Sequence, residues 1–148
     1  MAEFTPNAQD SLAKEEGERS EPRVLLVDDT ASNTMVAKAI LKRYGAVDPD
    51  TAENGAIALE HVRSKRYDLI YMDCMMPEMD GYEATRAIRG GEAGEHNVKV
   101  PIIALTANAM HGDREICLES GMSDYITKPI DPRALVKSLE NWLGREHA

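Results

Sequence analysis

The chain has 148 residues, 43% of them hydrophobic, with a formal net charge of -9. That length suits one domain with an ordinary core. The charge disfavours a general nucleic-acid binder, because phosphate backbones recruit basic patches, and no apolar run approaches the ~18 residues of a membrane span.

Residues 1–22 are polar and charged, with few apolar anchors, and read as a disordered arm or linker. The opening MAEF reads as an expression scar and is set aside. A domain is expected over 23–144, followed by a tail at 145–148. "RVLLVDD" (23–29) is an apolar run ending on two acids. "TASNTMVAKAILKRYG" (30–45) has helical spacing at Met35, Val36, Ala39, Ile40 and Tyr44, with Gly45 as its stop. "AVDPDTAENG" (46–55) holds a short strand that Pro49 marks as an edge or irregular one. "AIALEHVRSKR" (56–66) is helical, with Ile57, Leu59 and Val62 inward. "YDLIYMD" (67–73) is a strand that runs into Asp73, and "DGYEATRAIRG" (80–90) is a helix. A polar loop (91–97), a strand (98–107) and a helix closed by Gly121 (110–121) follow. "SDYITKP" (123–129) is the last strand. "DPRALVKSLENWLG" (131–144) is a helix with Asp131 as N-cap, Pro132 at its first position, and Leu135, Leu139, Trp142 and Leu143 inward.

Five strand–helix repeats imply an α/β, doubly wound five-stranded parallel sheet with five helices. Ligands of such sheets sit beyond the carboxyl ends of the strands. The residues expected there are Asp28 and Asp29, Asp73, Thr106, and Lys128 before Pro129. Taken singly, each has an ordinary reading: helix caps for the acids and Thr106, a solvated side chain for Lys128. Together they place three carboxylates, a hydroxyl and an ammonium on one rim. Close carboxylates repel, and a hard cation such as Mg²⁺ resolves the repulsion. The set then fits an aspartate that accepts a phosphoryl group. The histidines His61, His96, His111 and His147 lack metal-ligand spacing. Cys74 and Cys117 form no CxxC; reduced thiols are the default reading, and a disulfide stays open as the alternative.

"VLLVDD", "DCMMPEMDG", "IIALTA" and "DYITKPI" resemble the receiver domain of two-component response regulators. The resemblance covers about residues 23–144, with motifs on four elements in the right order. It implies the flavodoxin-like strand order 2-1-3-4-5. It also implies Asp73 as phosphoacceptor, and Asp28, Asp29, Asp73 and the Met75 backbone carbonyl around Mg²⁺. Thr106 and Lys128 would contact the phosphoryl group, Thr106 and Tyr125 would switch together, and the Lys128–Pro129 bond would be cis. Met75 and Asn108 match positions that tune phosphoryl lifetime. The first helix, through Asn33, Thr34, Met35, Ala37 and Lys38, would dock a histidine kinase or histidine phosphotransfer protein, with Val36, Ala39 and Ile40 in the core.

Several stretches look most like receivers fused to hybrid histidine kinases; a stand-alone single-domain regulator is the alternative. Either way this chain would not be a conventional enzyme, although it would assist its own phosphorylation and dephosphorylation, and a parent protein could be a kinase. A cytoplasmic location is expected, with no membrane or nucleic acid bound by this chain, and both monomers and weak homodimers stay open. A Mg²⁺ phosphatase with an aspartate nucleophile usually carries a second acid two residues on, where Met75 stands. A flavin carrier would want a Ser/Thr/Gly-rich loop where the chain reads Asp28-Asp29-Thr30. A receiver-like module that is never phosphorylated would not need this full set of acids and Lys128.

Overall fold

The computed structural model describes residues 22–76, 78–107 and 111–143, the side chains of 111–114 excepted. The expected arm (apart from Pro22), the tail, Pro77 and Asn108 lie outside the described residues. Five strands alternate with five α-helices: β1 (Val24–Val27), α1 (Ala31–Gly45), β2 (Asp50–Ala52), α2 (Gly55–Ser64), β3 (Leu69–Asp73), α3 (Gly81–Arg89), β4 (Ile102–Thr106), α4 (His111–Ser120), β5 (Asp124–Thr127) and α5 (Pro132–Leu143). The strands form one parallel sheet ordered β2-β1-β3-β4-β5.

Helices cover both faces, so the central strands are buried at every position, which is why they read as unbroken apolar runs. Alternate residues feed two cores. Leu25, Val27, Ile70, Met72, Ile102 and Ala104 meet α2, α3 and α4. Val24, Leu26, Tyr71, Ile103 and Leu105 meet Ala37, Ile40 and Leu41 of α1 and Leu135 and Leu139 of α5.

The inner row of α1 differs from the one its spacing suggests. Ala37 is fully buried, whereas Val36 is 53% exposed and Ala39 is exposed too; Ile40 alone of the expected trio is core. The buried row is Ala37, Ile40, Leu41 and Gly45, and at its end α1 packs closely on α5: a Cβ at Gly45 would stand 2.5 Å from Leu139 Cδ2. Gly45 is thus a close-approach residue and not the stop. Ala46 ends the helix in the left-handed region, its N–H bonded to the Leu41 carbonyl. Trp142, expected inward, is 37% exposed, its indole N–H 3.5 Å from Asp124 Oδ2.

The fourth strand starts at Ile102, four residues later than the apolar pattern suggests. A 3₁₀ turn at Glu95–Asn97 precedes it and buries Asn97. The Asn97 side chain accepts from Tyr67 N–H and donates to the carbonyls of Val62 and Lys65. Arg89 holds the same region: its guanidinium donates to the carbonyls of Gly121 (2.8 Å), Val98 (2.8 Å) and Val100 (2.6 Å). Pro49 is buried immediately before β2, a three-residue strand at the sheet edge, as expected. Asp131 Oδ1 accepts from Arg133 N–H at the start of α5, the expected cap.

Candidate functional site

β1 and β3 are register neighbours, Val27 opposite Met72, so Asp28 and Asp73 leave the sheet side by side. β1 ends there because its next residue turns back: Asp28 Oδ1 accepts from Thr30 N–H at 2.9 Å, at the entry to α1. Asp28 thus closes a local Asx turn rather than capping α1, whose N-cap residue is Thr30. The other Asp28 oxygen, Oδ2, is buried and has no hydrogen-bond donor, although Lys128 Nζ stands 3.2 Å away as an ion pair. One carboxylate oxygen from each of Asp28, Asp29 and Asp73 lies within 4.8 Å of the others. Asp28 and Asp73 are buried, and Asp29 is exposed.

Tight backbone approaches fix the loop after β3. Gly81 N–H donates to the Cys74 carbonyl at 3.0 Å, and a Cβ at Gly81 would overlap the Asp73 carbonyl. Asp80 and Glu83 form a reciprocal capping box at the start of α3. Gly55 N–H, at the start of α2, donates to the Met79 carbonyl. Within this loop Met75 N–H donates to Asp73 Oδ1 at 3.3 Å, and the Met75 side chain is 73% exposed.

Lys128 follows β5, and its bond to Pro129 is cis, as expected. Its Nζ lies 3.2 Å from Asp73 Oδ1 as well as from Asp28 Oδ2. Burial alone would depress the ammonium, but the charges of Asp73 and Asp28 outweigh it and hold Lys128 above the ordinary lysine value. Asp73 responds differently. Burial, then the neighbouring charge of Asp28, push it up to about 6, with Lys128 and the Met75 N–H pulling the other way.

Thr106 ends β4, buried, one residue beyond Leu105, the register partner of Asp73. Its carbonyl accepts from Lys128 N–H at 2.7 Å, which ties the ends of β4 and β5 together. Tyr125 pairs with Ala104 and is half-buried against the core beneath α2, α3 and α4. The rim thus gathers Asp28, Asp29, Asp73 and Lys128, with Thr106 adjacent and Tyr125 two strand positions below. A cleft of about 400 Å³ opens from the acids toward Thr34 and Met35 of α1 and Glu53 and Ile57 near α2.

The donor set fits Mg²⁺: it is all oxygen and excess in charge, three carboxylates against one ammonium. Cys74, next to Asp73, lies 3.9 Å, sulfur to sulfur, from Cys117 of α4, a contact that a separation of 43 residues conceals. Burial pushes the Cys74 thiol up to about 12.

Carboxylates on two adjacent strands, met by a lysine reaching over from a third in a sheet ordered 2-1-3-4-5, mark a two-component receiver. The chain belongs to the response regulator receiver domain family, whose model matches residues 24–140. It is 40% identical over 140 residues to the sensor histidine kinase GacS of Pseudomonas protegens, spanning 95% of this chain and 15% of that protein. Among solved structures, the receiver domain of the Pseudomonas aeruginosa sensor histidine kinase PA1611, with a magnesium ion coordinated in its active-site cleft, is 44% identical with a TM-score of 0.76. That match covers 85% of this chain and all of the other. A chain in the co-crystal structure of the Saccharomyces cerevisiae phosphotransfer protein Ypd1 with the receiver of Ssk1 is 31% identical with a TM-score of 0.75. It covers 82% of this chain and 88% of that one. The chain is homologous to receivers of hybrid histidine kinases. Among the described residues no helix is long and apolar enough to cross a membrane.

Proposed function

We propose that Asp73 accepts a phosphoryl group from a phosphohistidine, within a receiver domain over residues 23–144 of a cytoplasmic phosphorelay. The observation that carries this reading is the position of Lys128 Nζ, 3.2 Å from oxygens of both Asp73 and Asp28. An ammonium shared between a nucleophile and its acidic neighbour keeps the nucleophile ionised and then meets the incoming phosphoryl oxygens. A carboxylate oxygen of Asp73 attacks phosphorus in line while the P–N bond breaks, and the imidazole leaves with a proton. Asp28, Asp29, Asp73 and the Met75 carbonyl would hold Mg²⁺, which supplies charge neutralisation for the phosphoryl oxygens. The Mg²⁺ in the PA1611 receiver supports this assignment. This domain's contribution is positioning and charge, and it turns over no separate substrate.

The acyl phosphate adds about two negative charges beside Thr106, and the hydroxyl donates to it. Tyr125 fills the volume Thr106 leaves, and the population of the α4–β5–α5 face shifts. The phosphodonor meets α1 beside the site, where Met35 is 71% and Val36 53% exposed. Its partner is a histidine phosphotransfer protein, as Ypd1 is for Ssk1, and the parent protein is a hybrid histidine kinase, as in the GacS relatives. Incubation with acetyl phosphate and Mg²⁺, followed by mass spectrometry, tests this. One hydroxylamine-labile phosphoryl group, absent in Asp73→Ala, is expected; label that persists in that variant would refute the assignment.

A further inference from the structure

We infer that Cys74 and Cys117 are a modification site: a peroxide converts them to a disulfide that pins α4 to the end of β3. The two sulfurs are 3.9 Å apart in one apolar core, joining the residue after Asp73 to the middle of α4. A disulfide needs about 2.0 Å between sulfurs, so the two must close by about 1.9 Å from their present 3.9 Å. Both side chains belong to the same buried cluster, with Ala84, Ala87 and Ile88 of α3.

The chemistry balances. One sulfur attacks a peroxide oxygen, forming a sulfenic acid and releasing water. The second sulfur displaces hydroxide from the sulfenic sulfur, and the thiol proton completes a second water. The two thiols lose two electrons and the peroxide gains them. Both cysteines are 1% exposed, so the closed domain shields them and attack proceeds when α4 lifts. The crosslink then holds α4 in the position it occupies here. Its effect on signalling rests on the receiver reading above, whereas its formation does not.

The test treats the full 148-residue chain with hydrogen peroxide and measures intact mass and amide exchange with and without acetyl phosphate and Mg²⁺. The expected product is about 2 Da lighter, recovers its mass with dithiothreitol, and fails to form in Cys74→Ala or Cys117→Ser. In that product, amides of α4 exchange about tenfold more slowly, and phosphorylation no longer changes them. A reversible mass loss that survives in either variant, or no loss in the native chain, overturns the site. Equal α4 exchange in the crosslinked and reduced proteins overturns the pinning. Failure of the reduced protein to take up phosphate is a separate result, against the receiver reading alone.

Discussion

Lys128 Nζ and Asp73 Oδ1 lie 3.2 Å apart although their strands are not neighbours: β4 stands between β3 and β5. The lysine reaches across the end of β4, and its side chain is 19% exposed where it meets the acid. A contact of this kind exists only in the closed sheet, so it reports folding and site assembly together.

Replacing that ammonium should move the acid. Lysine pulls Asp73 down against burial and the charge of Asp28, so Lys128→Met should raise its titration midpoint above the present value of about 6. Carbon-13 detection of the Asp73 carboxyl in the metal-free protein measures this. Uptake from acetyl phosphate should fall about 100-fold in the same variant. An unmoved midpoint would mean that the ammonium is not felt at Asp73.

The raised acid also makes stability fall with pH. The ordinary value is 3.8 and the folded one about 6, so the group's stabilising contribution is complete below the former. It is lost as pH rises through the latter. Asp73→Asn should therefore exceed the native chain by about 1–2 kcal/mol at pH 7 without divalent cations. The gap should close near pH 4, and Mg²⁺ should stabilise the native chain more than the variant. Urea titrations at the two pH values, with EDTA or Mg²⁺, decide it. A less stable variant at pH 7 would show that repulsion does not dominate the empty site.

Asp50 behaves in the opposite sense. Burial raises it, but the hydrogen bonds from Tyr67 (2.6 Å) and Lys65 (3.0 Å) prevail and hold its carboxyl below the ordinary 3.8. That contribution is present above the ordinary value and fades as pH falls through the depressed one. Tyr67→Phe should cost about 1 kcal/mol at pH 7, kept modest by the partial exposure of Asp50, and less in acid. A cost that grows on acidification would contradict the pairing.

Arg89 serves three carbonyls, those of Val98, Val100 and Gly121. Arg89→Met should cost about 2–3 kcal/mol, because partly buried acceptors lose their donor. Arg89→Lys should recover less than half, since one ammonium cannot span the three acceptors. Equal stability of the native and Met forms in thermal melts would assign those carbonyls other donors.

The site was legible because its members end strands: "VLLVDD" and "LIYMD" run apolar stretches into acids, and "YITKP" carries Lys128 just past the last strand. The alternation of elements gave the architecture, and the strand order came through family resemblance. What the sequence hid was whatever depends on packing distance. Val36 and Ala39 are as apolar as Ala37, so composition does not say which row of α1 meets α5. Asn97 looks like any loop residue until its amide is seen binding Tyr67, Val62 and Lys65. The Cys74–Cys117 contact crosses 43 residues, beyond any local pattern.

The alternation of core residues along each strand has a consequence for how this molecule can diverge. The sheet acts as a partition, with α1 and α5 sharing one compartment and α2, α3 and α4 the other. Side chains in the two do not compete for volume, so substitutions on opposite sides should combine additively. The helix beside the donor cleft can therefore be resculpted for a new correspondent while the packing under α4 stays as it was.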